Sequence, residues 1–290
     1  MNGVVSRFAP SPTGRLHIGH AWSAVRAHDL ARGKGGRFLL RIEDIDAGRS
    51  RAEHIEGIIE DLTWLGLSWD GEPVLQSRRL GLYAAALDRL KTLDLVYPCY
   101  CTRAEIAAEI AASASAPHGP DGPLYPGTCR ALSPAERQAR SETEAHAWRL
   151  DMGKAAALAG PLSWYDQGAR RVIAEPEVHG DVVLARKDAP TSYHLAVTVD
   201  DAAQGVTDVV RGEDLFPATH VHRLLQALLG LQPPRYHHHP LLKGPDGARL
   251  AKRSGAPSLA EMRAAGADPK ELLAMLREGA GAIGFGMATA

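Results

Sequence analysis

A short stretch near the N-terminus, Arg7–His20, limits the possible folds more than any other part of this 290-residue chain. Apolar residues up to Phe8 predict a buried strand, and the prolines and glycine that follow end it in an open loop. His17-Ile-Gly-His20 then leads into an amphipathic helix through Ala21–Arg32. The N–H groups and dipole at a helix N-terminus attract phosphate, and two imidazoles three residues apart share one face. The stretch therefore predicts a phosphate site in which His17 and His20 donate hydrogen bonds.

The residues after this helix complete a strand–helix–strand unit. Arg37–Ile42 has the pattern of a strand that is buried on both faces, and the helical crossover implies a parallel, right-handed arrangement. Ligands of such sheets bind beyond the carboxyl ends of the strands. The acidic cluster Glu43–Asp46 follows the second strand, so we expect it to face His17 and His20.

Composition and charge exclude several classes of protein. The net charge of −1 gives no global basic excess, so any binding of nucleic acid has to come from local patches. The N-terminus lacks the pattern of a signal peptide, and no apolar run reaches the roughly 20 residues that span a bilayer. The sequence predicts a cytoplasmic protein that does not contact membranes.

The three cysteines, Cys99, Cys101 and Cys129, lie within one segment, which argues against a secreted disulfide framework. A Cys-x-Cys pair and a third cysteine that bracket a loop suit a single tetrahedral Zn²⁺ rich in thiolates. Nothing indicates an open coordination position, so we predict a structural ion. His118 is a candidate fourth ligand, and three ordinary reduced thiols are the alternative. The run His237–His239 offers a weaker metal hypothesis.

Four motifs in order carry a resemblance to a known family, namely RFAPSPTG from Arg7, HIGH from His17, RIEDID from Arg41 and VVRGEDL from Val209. A single HxGH is a weak signal, because many nucleotidyltransferases contain it, but four motifs at this spacing are specific. Over residues 4–255 the chain resembles the class I aminoacyl-tRNA synthetases of the glutamyl type. The cysteine pattern with Tyr125, and the short chain after 249–253, make it more similar to the glutamyl-Q tRNA(Asp) synthetase family.

The resemblance implies a fold and site residues. The implied fold is α/β, with a Rossmann-like catalytic domain at 1–95 and 186–240, an inserted zinc-bearing subdomain at 96–185, and a KMSKS-like loop with a short helical tail at 241–290. The implied catalytic residues are His17, His20 and Lys252, and Gly19 joins these three in the ATP site. The loop reads Arg249-Leu-Ala-Lys-Arg253, so Ala251 replaces a serine of the family's loop. The implied amino-acid pocket consists of Arg7, Phe8, Ala9, Pro10, Ser11, Glu43, Tyr193 and Arg211, and the implied zinc ligands are Cys99, Cys101, Tyr125 and Cys129.

Glutamate has three charged groups, and the predicted pocket offers a partner for each. Arg7 and Arg211 can make bidentate pairs with its two carboxylates, while Glu43 can accept from the α-ammonium. Which arginine takes the side-chain carboxylate stays open. Guanidinium pairing favours glutamate over glutamine, because an amide leaves the arginine charge poorly paired.

The family's reaction starts with attack of the L-glutamate carboxylate on the α-phosphorus of ATP, accompanied by Mg²⁺, without tRNA. Because a carboxylate is already nucleophilic, alignment and charge stabilisation take the place of a general base. The glutamyl group then passes, by resemblance, to queuosine in the anticodon stem-loop of tRNA(Asp), and we expect a monomer to do this.

Three alternative functions compete with this interpretation. A truncated glutamyl-tRNA synthetase, which charges a tRNA 3′ end, predicts anticodon-binding helices for which the tail after Gly255 leaves no room. A non-enzymatic paralogue predicts the loss of active-site residues, which are present here. A nucleotidyltransferase that makes a dinucleotide cofactor would not need Glu43, Tyr193 and Arg211 together.

Overall fold

The computed structural model describes residues 3–112, 118–120, 122–167, 170–242 and 257–278. Helices and strands alternate along most of these residues. The strands are β1 Val5–Phe8, β2 Arg37–Ile42, β3 Val74–Leu75, β4 Val96–Cys99, β5 His118–Gly119, β6 Gly122–Pro123, β7 Ala147–Leu150, β8 Ser163–Asp166, β9 Arg170–Ile173, β10 Val183–Ala185, β11 Asp208–Gly212 and β12 Arg235–His239. The helices are α1 Ile18–Arg32, α2 Ala52–Trp64, α3 Leu80–Thr92, α4 Arg103–Ala112, α5 Pro134–Thr143, α6 Met152–Ala159, α7 Tyr193–Ala203, α8 Ala218–Leu229, α9 Leu259–Ala264 and α10 Pro269–Glu278.

The chain divides into two compact units, each built from separate segments. The first unit comprises 1–78, 205–215 and 234–290, and the second comprises 79–204 and 216–233. None of the helices in the described residues is both long enough and apolar enough to cross a bilayer.

The first unit contains the predicted strand–helix–strand arrangement. β1 and β2 pair in parallel, from Val5 opposite Arg37 to Phe8 opposite Leu40, and α1 connects them. β11 and β12 form a second parallel pair. β11 lies next to β1, where Thr207 N–H, just before β11, donates to Val5 C=O at 2.9 Å. The core beneath these strands is formed by apolar residues of α1, β2, α2 and the two C-terminal helices. The prediction of an α/β fold with a parallel sheet is confirmed.

The second unit contains mainly antiparallel strands. β7 lies between β4 and β10, and β8 and β9 form a hairpin. Its apolar core joins α3, α6, α7 and α8. Thus β-rich sequence and helices alternate here.

A buried carboxylate, Asp208, anchors the start of the β11–β12 pair. It accepts hydrogen bonds from Arg235 at 2.9 and 3.0 Å, from His237 at 2.8 Å and from Thr207 at 2.7 Å. Burial would raise the pKa of Asp208, but these hydrogen bonds outweigh it and hold the pKa well below its ordinary value. Ionised Asp208 therefore stabilises the folded state.

We expect this stabilisation to be present above the unfolded-state pKa of about 3.9 and to fade as the pH falls toward the lower folded-state value. At neutral pH, Asp208→Asn should lower the free energy of unfolding by about 1.5–3 kcal/mol, because the buried group loses its charge and its charge-assisted hydrogen bonds, while Arg235 stays largely exposed to solvent. Its acid dependence should also be shallower. Urea titrations at several pH values test this, with Asp88→Asn as control, since the exposed Asp88–Lys91 pair contributes about 0–1 kcal/mol. Equal effects of the two substitutions would contradict it.

Candidate active site and metal site

The loop after β1 is held against the end of β2. Glu43 N–H donates to Pro10 C=O at 3.0 Å, which joins the first residue after β2 to the predicted amino-acid pocket. Phe8 and Pro10 are buried, Ala9 is half-buried and Ser11 is exposed. Carboxyl ends of parallel strands meet at one edge of a sheet, so this half of the pocket follows from the strand pairing.

Two buried arginines lie on the neighbouring strands β1 and β11. Arg7 is 4% exposed and Arg211 is 5% exposed. The Nη1 of Arg7 donates to Val210 C=O at 3.4 Å. Arg211 Nε donates to His238 Nε2 at 3.2 Å across the β11–β12 pair, and its guanidinium lies 5.3 Å from the centroid of the Tyr236 ring. The structure therefore brings Arg7, Arg211 and Glu43 into one unit, and His238 is a contact of the pocket arginine that sequence analysis missed.

His17 and His20 form a reciprocal cap at the start of α1. His17 Nδ1 accepts from Gly19 N–H at 3.1 Å, and His20 Nδ1 accepts from His17 N–H at 3.2 Å. The two ring centroids are 3.8 Å apart. Because each Nδ1 accepts a hydrogen bond, each neutral ring carries its proton on Nε2. The cap therefore fixes the tautomer that can donate Nε2–H to a phosphate oxygen.

A second contact missed by sequence analysis joins α1 to the end of β12. Trp22 Nε1–H donates to His239 Nδ1 at 3.0 Å, and Ser23 Oγ lies 2.9 Å from His239 Nε2. Burial lowers the pKa of His239, which favours the neutral ring. The helix that begins with His17 and His20 is thus fixed to the strand that leads toward residue 243.

Two predicted site residues cannot be compared with this arrangement. Lys252, with the rest of the basic loop, lies outside the described residues. On the far side of that loop, Ser258 forms an antiparallel bridge with His17, and Leu259 N–H donates to Leu16 C=O at 2.9 Å. Tyr193 begins α7 in the second unit. The roles of Tyr193 and Lys252 stay predictions.

The three cysteines converge in the second unit, with their sulfurs within 4.8 Å of one another. Cys99 is the last residue of β4, and Cys129 lies in a short 3₁₀ turn. Gly127 precedes this turn in the left-handed conformation, with a φ of 91°. The Sγ atoms of Cys101 and Cys129 are 3.4 Å apart, and Tyr125 Oη is 3.5 Å from the Sγ atoms of both Cys99 and Cys101. Zn–S bonds of about 2.3 Å and a Zn–O bond of about 2.0 Å place tetrahedral ligand atoms at comparable separations. The four side chains therefore fit a zinc ion.

The pKa values of the side chains in this cluster shift in different directions. Burial would raise the pKa of Cys129, but hydrogen bonds from the Tyr125 hydroxyl and Tyr100 N–H outweigh it and lower the pKa. Burial, with the neighbouring cysteines, raises the pKa of Cys101 to about 11. Burial and hydrogen bonding to the sulfurs also raise the pKa of Tyr125. A bound cation would favour all the anionic forms at once, which is the usual coupling of metal binding to proton release.

The other histidine hypotheses for a metal gain no support. In β12, His237 pairs with Asp208, His238 with Arg211, and His239 with Trp22 and Ser23. Within the described part of the chain, the three cysteines are the group of potential metal ligands that lie close enough together to share an ion. His118 begins β5, but its side chain is not among the parts that the structure describes, so its role as a zinc ligand stays a prediction.

Comparison with known proteins agrees with this architecture. The catalytic-domain model of the class I tRNA synthetases (E and Q) matches residues 3–285. A glutamyl-Q tRNA(Asp) synthetase of Rhodobacter capsulatus is 51% identical over 280 residues, which cover 93% of this chain and 98% of that protein. Another, of Symbiobacterium thermophilum, is 46% identical over 288 residues, covering 94% and 85%. The chain therefore belongs to the class I tRNA synthetases (E and Q), within the glutamyl-Q tRNA(Asp) synthetase family.

Solved structures lead to the same fold. The glutamate-tRNA synthetase of Elizabethkingia anophelis matches with a TM-score of 0.74 at 30% identity, covering 88% of this chain and 53% of that one. The chain thus spans about half the length of that synthetase. A methionyl-tRNA synthetase of Mycobacterium tuberculosis, at 12% identity and a TM-score of 0.59, shares the fold alone. The predicted family and enzyme class, a ligase of aminoacyl-tRNA synthetase type, are confirmed.

The histidine cap gives a direct prediction. His20→Ala should lower kcat for ATP–pyrophosphate exchange by about 10²–10³-fold, the usual effect of losing one preorganised donor to a charged oxygen. His28→Ala is the matched control, because His28 lies on the same helix but hydrogen-bonds to Asp29. We expect the control to retain activity. Similar losses in both variants would show that His20 acts only through helix stability.

Proposed function

We propose that this chain activates L-glutamate with ATP and transfers the glutamyl group to queuosine in the anticodon of tRNA(Asp). The observation that carries the proposal is the gathering, in one unit, of the HIGH helix start, Arg7 on β1, Arg211 on β11 and Glu43 just after β2. The relatives whose names contain glutamyl-Q tRNA(Asp) support the acceptor. ATP and tRNA meet in the cytoplasm, so we place the reaction there, and the monomeric state stays a prediction.

In the first step the glutamate carboxylate attacks the α-phosphorus of ATP, forming a mixed anhydride while pyrophosphate leaves. Arg7 and Arg211 bind the two carboxylates of glutamate, and Glu43 accepts from its ammonium group. The Nε2–H groups of His17 and His20 donate to phosphate oxygens as charge develops there. Mg²⁺ shields the phosphate charges of ATP. Alignment and charge stabilisation thus supply the catalysis.

Lys252 has the role of holding the β- and γ-phosphates of the leaving group. Its support comes from the sequence motif and from the pairing of Ser258 with His17, which seats the chain just beyond the loop beside the ATP site. In the second step, a hydroxyl of queuosine attacks the acyl carbon of the adenylate. An ester forms, AMP leaves with the electron pair of the broken acyl–oxygen bond, and the proton of the hydroxyl passes to the departing phosphate or to solvent.

The three cysteines and Tyr125 would hold one structural zinc ion, which cross-links β4, the segment before α4 and the turn at Cys129. The support is the fit of four donor atoms to tetrahedral separations. Such an ion stabilises a loop-rich segment and carries no step of the reaction.

Two assays test the function. Purified protein with ATP, Mg²⁺ and glutamate should exchange pyrophosphate in the absence of tRNA. Labelled glutamate should then pass to tRNA(Asp) that contains queuosine, and not to tRNA(Asp) that lacks it or to tRNA(Glu). His20→Ala serves as the inactive control. Folded, zinc-loaded protein that exchanges no pyrophosphate would overturn the activation step.

The competing function is charging of a tRNA 3′ end. Similarity to the solved glutamate-tRNA synthetase favours it, although the curated relatives named above support it less. Label on tRNA(Glu) that periodate oxidation of the 3′-terminal diol prevents would establish this alternative. Label on tRNA(Asp) that survives removal of the 3′-terminal adenosine would contradict it.

A further inference from the structure

Arg149 contacts two of the four proposed zinc ligands without being a ligand itself. Its Nε donates to Cys99 Sγ at 3.3 Å. Its guanidinium carbon lies 3.9 Å from the centroid of the Tyr125 ring, well within the range of a cation–π contact. Arg149 therefore joins one thiol and the tyrosine of the cluster from outside the coordination shell.

The backbone around Arg149 holds it in this position. Arg149 lies on β7, the central strand of its sheet, opposite Tyr97 in β4 and Val183 in β10. Its Nη1 donates to Asp181 C=O at 2.7 Å. These contacts leave the half-buried guanidinium with a fixed orientation, and little entropy remains to be lost when the cluster binds an ion.

The carboxylate of Asp181 connects this arrangement to the rest of the cluster. It accepts from the Tyr97 hydroxyl at 2.6 Å, from Arg130 Nη1 at 2.8 Å and from Met152 N–H at 3.0 Å. Tyr97 precedes Cys99 by two residues, and Arg130 directly follows Cys129. The Asp181 carboxylate thus holds the residues next to Cys99 and Cys129, and the backbone C=O of the same residue orients Arg149.

The charge of the ligand set gives Arg149 a function. Zn²⁺ with three thiolates and a phenolate has a formal charge of minus two, which is costly in a partly buried site unless a cation lies nearby. Arg149 supplies one positive charge directly against a thiolate and the phenol ring. Hydrogen bonds to ligand atoms from outside the shell commonly change metal affinity by about 10–100-fold.

We propose that Arg149 is a positioning residue of the zinc site. It offsets the excess negative charge of the ligands and holds the Tyr125 ring with its oxygen toward the sulfurs. Cys129 N–H donates to the same oxygen at 2.9 Å and helps to hold it in place. This inference rests on the proposed zinc site, and it assigns a metal-directed role to a residue that no family motif includes.

The test compares zinc affinities, measured by competition with a chromophoric chelator, in three variants. Arg149→Met removes the charge but keeps the length, Arg149→Lys keeps the charge but loses the planar fork, and Arg140→Met is the matched control. Arg140 stacks on Tyr100 at 4.3 Å, a tyrosine that is not a proposed ligand. We expect about 10–100-fold weaker zinc binding in Arg149→Met, an intermediate affinity in Arg149→Lys, and a change within about twofold in the control.

Spectra of the Co²⁺-substituted protein provide a readout that general destabilisation does not move. Arg149→Met should shift the ligand-field bands, and combining it with Tyr125→Phe should give less than the sum of the two single losses in affinity, because both act through the same ring.

Zinc affinity and Co²⁺ spectra of Arg149→Met that equal those of the wild type would overturn the role. If Arg149→Met does not fold, wild-type affinity in Arg149→Lys, which lacks the fork that contacts the ring and thiol, would overturn it. A wild-type protein that binds no zinc would overturn the site itself and leave glutamate activation untouched.

Discussion

Replacing Arg211 with methionine is expected to lower kcat/KM for glutamate in pyrophosphate exchange by about 10³-fold. Arg211 is buried, so its loss leaves a carboxylate of the bound glutamate without its partner, which costs about 3–5 kcal/mol. KM for ATP should stay within about threefold, since the histidine cap is unaffected. Steady-state exchange kinetics, with each substrate varied in turn, measure both quantities. Arg211→Lys should recover part of the loss, because it restores charge without the fork.

Arg235→Met is the matched control for this experiment. Arg235 lies at the other end of the β11–β12 pair, where it pairs with Asp208. Its replacement should lower stability and leave the kinetics of glutamate unchanged. A loss in Arg211→Met that falls equally on glutamate and ATP would contradict a pocket role and indicate a general disturbance of the strands.

Removal of one cysteine should have the second large effect. Cys101→Ser is expected to weaken zinc binding by about 10²–10³-fold, because a structural site distributes about 10–16 kcal/mol of binding free energy among its ligands. Chelation of zinc from the wild type should likewise lower the thermal midpoint of unfolding. Metal content after dialysis and melting curves with and without a chelator measure these effects.

A pair of tyrosine variants separates the fourth ligand from its neighbours. Tyr125→Phe should weaken zinc binding, whereas Tyr100→Phe should not, because the Tyr100 hydroxyl hydrogen-bonds to Arg137 C=O and Ser141. Wild-type zinc affinity in Tyr125→Phe would exclude the phenol as a ligand and favour His118 as the fourth ligand. Wild-type stability in chelator-treated protein would contradict a structural role for the ion.

Local sequence patterns sufficed for the first strand–helix–strand arrangement. The strand predicted to end at Phe8 and the strand Arg37–Ile42 are present, and they pair in parallel around α1. These elements are short-range, because their apolar pattern and their loop and cap residues lie within about 40 residues, and right-handed crossovers leave few alternatives. The cysteine cluster was also predictable, because the three cysteines lie close together in one segment of the sequence.

Contacts between distant segments were not predictable from any local pattern. Three contacts join residues that are far apart in the sequence: Arg211 with His238, His239 with Trp22, and Arg149 with Cys99. Each depends on which strands become neighbours and on which residues stand opposite one another. A histidine in a strand has the same local appearance whether it orients an arginine, anchors a helix or binds a metal.

The sequence by itself determined the class of fold and the family, because local periodicity and motif spacing carry that information, and it predicted the residues of both sites. Only the tertiary structure decided that the Nδ1 atoms of His17 and His20 accept backbone hydrogen bonds at the start of α1, which puts the proton of each neutral ring on Nε2. It also decided that Arg149 lies over Tyr125. Tautomers and cation–ring contacts depend on atomic distances, and those distances exist only after strands, helices and loops have packed together.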